Sequence, residues 1–169
     1  MNEPQRAPRP EFNRLRHHFE DFAVGDEVLT AGRTVDVGDL TLFAGLTGDH
    51  YPLHTDEEYG RATHFGGRIA SGPFTYGIAT GLVALSGFLG DAIVAMRELQ
   101  SLRAVAPVHP GDTLRVRAVV AETTSARRPE HGLVSIDYSV INQKDEQVMR
   151  FRMVVIARRS TASEEDRDG

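Results

Sequence analysis

The chain has 169 residues, 40% of them hydrophobic and 25% charged, which suits one globular domain with a sizeable core. It contains no cysteine, so disulfides, thiolate metal sites, iron–sulfur clusters and cysteine nucleophiles are excluded. The formal net charge of -5 at pH 7 argues against a nucleic-acid partner, because phosphate binding depends on clustered positive charge.

Both ends of the chain are polar and rich in proline or in charged residues. We expect a flexible arm over residues 1–18 and a disordered tail over residues 160–169, because neither segment can bury enough apolar surface to become ordered. One domain then covers residues 19–159. No segment has the apolar core of a signal peptide or the length of a membrane span, so we expect a cytoplasmic protein with no membrane partner.

The first predicted elements are a strand and a short helix. Residues 27–35 have the β-branched, half-alternating pattern of a strand. A helix then begins near Gly38, with Asp39 as its N-cap, and ends at Gly48. Its apolar residues recur at roughly helical spacing and are expected to face the core: Leu40, Leu42, Phe43 and Leu46.

A second short helix and a long one follow. Thr55 is the expected N-cap of the short helix, with three acidic residues in its first turn. Residues 73–89 are apolar on nearly every side and contain several small residues, which predicts a long helix that is buried all round.

The rest of the chain shows β-branched or alternating patterns in four segments, residues 92–107, 112–125, 132–142 and 147–159. Short turn sequences separate several of these segments. An antiparallel sheet wrapped around the long helix is the economical α+β arrangement for this order of elements.

The segment GDHYPLH, residues 48–54, is the part of the chain best suited to acid–base catalysis. Asp49 and His54 lie five residues apart across Pro52, which fixes its own φ and pushes Tyr51 towards an extended conformation. A regular helix through the segment is therefore not expected. A turn that directs both side chains into one small volume lets a carboxylate and an imidazole divide acid and base roles over a single water.

Two other chemical interpretations of this region are weaker. His50 and His54 have metal-ligand spacing for a helix, and Asp49 or Asp56 offers an oxygen ligand, but Pro52 interrupts that helix. Ser71 lacks the leading glycine of the G-x-S-x-G nucleophile elbow, so a packing or substrate-contact role is favoured.

Residues 43–72, FAGLTGDHYPLHTDEEYGRATHFGGRIASG, resemble the MaoC-like dehydratases and (R)-specific enoyl-CoA hydratases of the hot-dog fold. That family has a D-x-N-P-[LI]-H-x-D segment followed by F-G-x-x-I-A-H-G at the start of its central helix. The order of elements and the P-G-D turn at residues 110–112 extend the resemblance over most of residues 19–159. It implies a single hot-dog domain and a hydro-lyase that adds water reversibly and syn to a trans-2-enoyl thioester, giving the (3R)-3-hydroxyacyl product.

The resemblance also implies roles for individual residues. Asp49 and His54 fall on the catalytic aspartate and histidine of the family, and Gly72 on the glycine whose N–H binds the thioester oxygen. Tyr51 replaces the usual asparagine and Ser71 the usual histidine, so both are candidate substrate-binding residues. A serine found in some enoyl-CoA hydratases aligns with Gly77.

Arg68 is a further candidate substrate-binding residue, because a loop arginine before the central helix can meet a phosphate of coenzyme A or of a carrier pantetheine. An exposed loop charge is the other interpretation of Arg68. The same two possibilities, a phosphate contact or an exposed charge, apply to Arg97 and Arg103 on a predicted strand. The reaction needs neither a metal nor an organic cofactor beyond the acyl-CoA or acyl-carrier thioester that is its substrate. An exposed sheet edge and the resemblance together predict a homodimer or higher homo-oligomer.

Two alternatives remain open on sequence alone. On the same fold a thioesterase would use a carboxylate, Asp49 or Asp56, to activate water against the thioester carbonyl. A non-catalytic subunit that binds acyl thioesters would keep the fold and the pocket without the reaction.

Overall fold

The computed structural model describes residues 16–160. Residues 1–15 and 161–169, which include most of the predicted arm and tail, lie outside the described residues. A 3-10 turn at Phe19–Asp21 leads into the domain. The elements that follow are β1 (Glu27–Leu29), β2 (Arg33–Thr34), α1 (Val37–Thr47), α2 (Pro52–Thr55), α3 (Glu57–Arg61), α4 (Gly72–Leu85), β3 (Ile93–Ala104), β4 (Thr113–Ser125), β5 (His131–Ile141) and β6 (Gln147–Arg158).

The strands form one antiparallel sheet in the order β1-β4-β5-β6-β3, and β2 pairs with β4 beside β1. The sheet packs against α4, and the core lies between helix and sheet. Alternate residues of β4 point inward and are almost fully buried: Leu114, Val116, Ala118 and Val120. The predicted α+β class, an antiparallel sheet wrapped around a long helix, is confirmed.

The four predicted strands in the second half of the chain are confirmed within three residues at each end. The single strand predicted over residues 27–35 is wrong, because residues 30–32 separate β1 from β2. Both pieces still pair with β4. The bond from the Thr30 N–H to the Val116 carbonyl, at 2.9 Å, continues the pairing past the end of β1.

The start and the buried face of α1 also differ from the prediction. Asp36, not Asp39, is the N-cap, while the Asp39 carboxylate accepts from the Asp36 N–H to complete a capping box. Only Leu40 among the four predicted core residues is fully buried. Leu42 and Leu46 are 73% and 81% exposed, because the buried stripe of α1 passes through Leu40 and Ala44.

The next two helices differ from the prediction in the N-cap of α3 and in the presence of a helical turn at Pro52. Asp56 rather than Thr55 caps α3, since its carboxylate accepts from the Tyr59 N–H at 3.1 Å. The preceding segment contains the one-turn helix α2, whose first residue is Pro52. Proline is well accepted there, because the first N–H of a helix has no partner within the helix.

The central helix α4 is shorter than predicted and is not buried all round. Its inner face contributes Phe74, Ile78 and Val83 to the core. Its outer face, which includes Gly77 and Gly81, is exposed in the single chain. No helix within residues 16–160 is long and apolar enough to cross a membrane.

Arg16, which the sequence places in the arm, packs against the domain and is 9% exposed. Its guanidinium donates to the Phe88 carbonyl at 2.6 Å, pairs with Asp26 at 2.9 Å and lies over the Phe88 ring. The ordered chain therefore includes at least this residue before the predicted boundary at Phe19.

Tyr138 of β5 is the largest fully buried side chain among the described residues. Its ring stacks on Phe151 with centroids 4.5 Å apart, and Tyr76 of α4 meets the Phe151 ring edge-on. The Tyr138 hydroxyl is buried and has no hydrogen-bond partner among the described residues. Burial raises the pKa of this hydroxyl far above the usual value for tyrosine.

We expect the substitution Tyr138→Phe to raise the free energy of unfolding by about 1 kcal/mol, because a buried hydroxyl without a partner costs roughly 1–3 kcal/mol. Urea denaturation of the two proteins measures the difference. Tyr76→Phe is the control, since the Tyr76 hydroxyl has a sulfur partner, Met96 Sδ, at 3.2 Å. A Tyr138→Phe protein less stable than the parent would contradict the assignment of an unpaired hydroxyl.

Candidate active site

Asp49 follows directly on the end of α1. Gly48 adopts a left-handed conformation, with φ of 77°, and its N–H bonds to the Ala44 carbonyl at 2.8 Å. Glycine takes this conformation without the steric cost that a Cβ brings. The turn stops the helix and delivers Asp49, half-buried, towards the start of α4.

His54 is held by the one turn of α2. Its backbone N–H bonds to the Tyr51 carbonyl at 2.9 Å, and its ring Nδ1 lies 2.8 Å from the Ile69 carbonyl oxygen. A carbonyl only accepts hydrogen bonds, so Nδ1 carries the proton and donates it. The neutral ring then has its lone pair on Nε2, which leaves that nitrogen ready to take a proton.

The loop before α4 is fixed from two sides. The Ile69 N–H bonds to the Leu53 carbonyl at 3.2 Å, and the Ala70 N–H bonds to the Val108 carbonyl at 2.8 Å. The loop is thereby tied to α2, which carries His54, and to the segment that follows β3. Both bonds position the first residues of α4.

The start of α4 leaves two backbone donors without an acceptor among the described residues, the N–H groups of Ser71 and Gly72. Ser71 is the N-cap; its Oγ accepts from the Phe74 N–H at 3.4 Å, and its carbonyl accepts from the Thr75 N–H at 3.1 Å. Pro73 has no N–H to offer. Among the described residues the Gly72 N–H has no acceptor, and it lies at the positive end of the helix dipole.

A small recess joins Asp49 and His54. Its volume is about 10 Å³, and Ser71 shares its lining with apolar side chains of α1 and α4. A single water needs a cavity of roughly 10–15 Å³. The carboxylate and the imidazole therefore border a space that suits one water.

A larger pocket of about 310 Å³ lies on the other side of His54. Gly72 and Thr75 line it at the start of α4, and most of the other lining residues are apolar: Phe65, Ile69, Ala70, Ala104, Val105, Ala106, Pro107, Val108, Val148 and Met149. His54 borders both spaces. The arrangement places one proton-accepting group between a one-water recess and an apolar pocket with a free N–H.

The three predicted substrate-binding residues fall in different places. Ser71 lines the small recess. Tyr51 is 55% exposed and lines neither space; its ring meets that of His54 edge-on at 6.1 Å, and its hydroxyl lies 3.5 Å from that of Tyr59. Arg68 also lies outside both linings, and its Nε donates to Glu57 at 3.0 Å. The roles of all three stay predictions.

The ion pair between Arg68 and Glu57 connects the loop before α4 to α3. The hydrogen bond from the Arg68 guanidinium lowers the pKa of the Glu57 carboxyl, and the charge of Arg61 adds to the effect. The carboxylate is thus held in its charged form, and Arg68 is occupied within the chain.

His109 is a residue that sequence reasoning missed. Its Nδ1 lies 3.2 Å from the Arg68 carbonyl, next in the chain to the carbonyl that accepts from His54. Its backbone N–H bonds to the Asp112 carboxylate at 2.8 Å. The P-G-D turn was the available signal, since it fixes the position of the histidine that precedes it.

Within residues 16–160 no three histidine or acidic side chains lie close enough together to hold a metal ion.

Comparison with known proteins was made against family models, curated sequences and solved structures. Residues 20–144 match the model described as the MaoC like domain. Protein YdeM of Bacillus subtilis, described as uncharacterized, is 32% identical over 141 residues, which are 83% of this chain and 99% of that protein. The (R)-specific enoyl-CoA hydratase of Rhodospirillum rubrum is 36% identical over 109 residues, which are 63% of this chain and 71% of that protein.

The protein MaoC of Klebsiella aerogenes is 36% identical over 110 residues, which are 65% of this chain and 32% of that protein. This chain thus corresponds to about a third of the length of that relative. The word hydratase in the description of the Rhodospirillum rubrum relative matches the class of enzyme predicted from the sequence, a hydro-lyase.

Superposition on two solved structures identifies the fold of this chain. The MaoC-like dehydratase of Rhodospirillum rubrum superposes with a TM-score of 0.75 at 32% identity, covering 85% of this chain and 98% of that one. A Mycobacterium tuberculosis protein described as a double hotdog fold superposes with a TM-score of 0.76 at 22% identity, covering 86% of this chain and 45% of that one. The predicted hot-dog fold is confirmed, and the chain belongs to the MaoC-like dehydratase family.

Proposed function

We propose that this chain catalyses the reversible hydration of a trans-2-enoyl thioester to the (3R)-3-hydroxyacyl thioester. The observation that carries the proposal is the position of His54 between the one-water recess that Asp49 borders and the apolar pocket that Gly72 borders. The relative described as an (R)-specific enoyl-CoA hydratase supports the reaction type.

In the proposed reaction the water lies between Asp49 and His54. The Asp49 carboxylate accepts one O–H of the water and orients it, while His54 Nε2 takes the other proton as the water oxygen bonds to C3. The electron pair of the C2–C3 double bond moves towards the thioester carbonyl, and negative charge develops on its oxygen. The protonated pair then returns its proton to C2, so the net change is the addition of one water.

The Gly72 N–H is the proposed donor to the thioester oxygen. It is unpaired and belongs to the first turn of α4, so the helix dipole reinforces a hydrogen bond to developing negative charge. Because water and proton come from the same two side chains, both add to one face of the alkene. This supports syn addition. The reaction draws on no cofactor besides the thioester itself.

The thioesterase alternative is less well supported. It needs a carboxylate directed at the thioester carbonyl, and one of its two candidates, Asp56, is exposed and caps α3. The other candidate, Asp49, borders the recess and not the larger pocket.

With crotonyl-CoA as substrate we expect loss of the conjugated enoyl absorbance without release of free thiol. Asp49→Asn and His54→Ala should each lower kcat by roughly 10²–10⁴, the usual contribution of positioned acid–base groups. His50→Ala is the matched control, since this exposed histidine is four residues from His54 and lines neither space. Thiol release without enoyl loss would establish the thioesterase, and retained activity in both variants would remove the site assignment.

The role of the Gly72 N–H can be tested by moving a proline one position. The double variant Gly72→Pro, Pro73→Ala deletes this N–H at the first helical position, where proline is well accepted and where a Cβ meets no atom within 4 Å. We expect an unchanged melting temperature and a kcat lowered by roughly 10²–10³, as for loss of an oxyanion donor. Pro73→Ala alone, which keeps the N–H, should stay active; equal activity of both variants would exclude this donor.

A homodimer is part of the proposal. The outer face of α4 carries small and apolar residues that a solvated helix face does not need. Beside it β3 is an edge strand with several exposed apolar side chains: Val94, Met96, Leu99 and Leu102. An apolar edge of this kind pairs readily with another strand. A second copy packed along β3 and α4 covers both surfaces at once.

We expect sedimentation analysis to give twice the chain mass for the parent protein and the chain mass for Gly81→Arg. Gly81 lies on the exposed face of α4, and a Cβ there meets no atom of the same chain within 4 Å, so the substitution blocks only a neighbouring molecule. Gly38→Arg, an equally open position on α1, is the control and should stay dimeric. A parent protein that sediments as a monomer would overturn the dimer.

A further inference from the structure

Two successive peptide groups of the loop before α4 lie between α2 and the segment that follows β3. The first of them joins Arg68 to Ile69. Its N–H donates to the Leu53 carbonyl at 3.2 Å, and its carbonyl oxygen lies 3.2 Å from Nδ1 of His109. This peptide group is therefore bonded at one end to α2 and at the other end to His109.

The second peptide group joins Ile69 to Ala70 and is also bonded at both ends. Its carbonyl oxygen lies 2.8 Å from Nδ1 of His54, and its N–H donates to the Val108 carbonyl at 2.8 Å. The carbonyl that fixes the tautomer of His54 thus belongs to the peptide group next to the one that His109 contacts.

The geometry of the chain couples these two peptide groups. A trans peptide group is planar, so its N–H and its carbonyl turn together. The two groups meet at the Cα atom of Ile69, and a rotation of the first group changes the direction of the second. Their four partners within residues 16–160 are the backbone carbonyls of Leu53 and Val108 and the rings of His54 and His109. His109 is therefore the one side chain, besides the candidate base itself, that sets the direction of the Ile69 carbonyl.

His109 is itself held by the P-G-D turn. Its N–H donates to one carboxylate oxygen of Asp112 at 2.8 Å, and its carbonyl accepts from the Asp112 N–H at 3.0 Å. The other oxygen of that carboxylate accepts from the Gln143 amide at 2.8 Å. Gly111, between them, has φ of 98°, a conformation that favours glycine. The turn gives the ring of His109 a defined origin.

The ring of His109 takes no direct part in the proposed reaction. It is half-buried and lines neither the small recess nor the larger pocket. Because the Arg68 carbonyl can only accept, Nδ1 of His109 carries the proton and donates it. Its effect on the reaction can therefore only pass through the loop.

Resting on the proposed function, we infer that His109 is a positioning residue for the hydration. Its ring N–H fixes the direction of the Ile69 carbonyl, and that carbonyl holds the ring of His54 against the recess. Without this bond the carbonyl can turn, and Nε2 of His54 moves away from the water. The bond between Ala70 and Val108 does not depend on His109, so the pocket walls that these two residues form stay joined.

The kinetic test compares two substitutions at this position. We expect His109→Ala to lower kcat for crotonyl-CoA by roughly 10–100-fold with KM unchanged, since a displacement of about 1 Å is enough for such a loss. His109→Asn keeps an N–H donor close to the place of Nδ1 and should recover most of the activity. His131→Ala is the control, because this half-buried histidine lies opposite Arg158, at the far end of β6 from the pocket residue Met149.

Nuclear magnetic resonance of the free protein measures the same effect without the reaction. The parent should show a ring N–H signal that is protected from solvent exchange and is absent from His54→Ala. We expect this signal to be lost in His109→Ala, and to remain in His109→Asn and in His131→Ala. The melting temperature reports whether each variant is folded, and His109→Leu, which keeps the bulk of the ring without its donor, replaces His109→Ala if alanine unfolds the domain.

Four results would overturn the positioning role. They are an unchanged kcat in His109→Ala, a raised KM with kcat unchanged, a lowered kcat with the His54 signal intact, and a parent protein without a protected His54 signal. If the parent does not hydrate crotonyl-CoA at all, the proposed reaction fails. The resonance comparison still decides whether His109 holds the bond between His54 and Ile69.

Discussion

The hydrogen bond between His54 Nδ1 and the Ile69 carbonyl is the contact on which the candidate site depends. It fixes the tautomer of the imidazole, because the carbonyl can only accept, and so it leaves Nε2 available as a base. It also ties α2 to the loop that leads into α4. The same bond therefore fixes the tautomer of the candidate base and links its ring to the loop that leads to the Gly72 N–H.

The rest of the structure holds the two ends of this contact in place. The loop is bonded to the segment after β3 through the Ala70 N–H and the Val108 carbonyl, and its backbone carbonyls accept from both His54 and His109. Behind the loop, the inner face of α4 is buried against the sheet. A helix packed into a rigid core cannot shift its first turn freely, so the donor at Gly72 has a fixed position.

The sequence predicted the elements that depend on local patterns. Alternating or β-branched patterns identified the four long strands, because side chains alternate along a strand and β4, β5 and β6 each bury one face. The edge strand β3 is exposed along its length in the single chain. Prediction failed where several residues of similar type competed for one role. Asp36 and Asp39 are both good N-caps, and Thr55 and Asp56 likewise; the choice between them follows from where the chain leaves the preceding element.

The apolar residues of α1 and α4 show the same limit. Leu42 and Leu46 have helical spacing but face outward, since the sheet and α4 already fill the space that Leu40 and Ala44 face. In α4 the sequence correctly indicated a helix with no polar face, but one side is open in the single chain. An apolar pattern indicates that a surface is buried in the folded protein. It does not indicate whether the same chain or a second copy of it buries that surface.

The sequence by itself determined the antiparallel sheet around a central helix and brought Asp49 and His54 together across Pro52, because strand alternation, proline and glycine act through neighbouring residues. The resemblance to the MaoC-like family, and no local pattern, pointed to Gly72. Only the tertiary structure decided that His54 borders two spaces, that Gly72 has the free N–H of its helix turn, and that Arg68 is occupied by Glu57. The reason is physical: a free donor, a tautomer or an unpaired charge is defined by what lies opposite it, and those partners are far away in the chain.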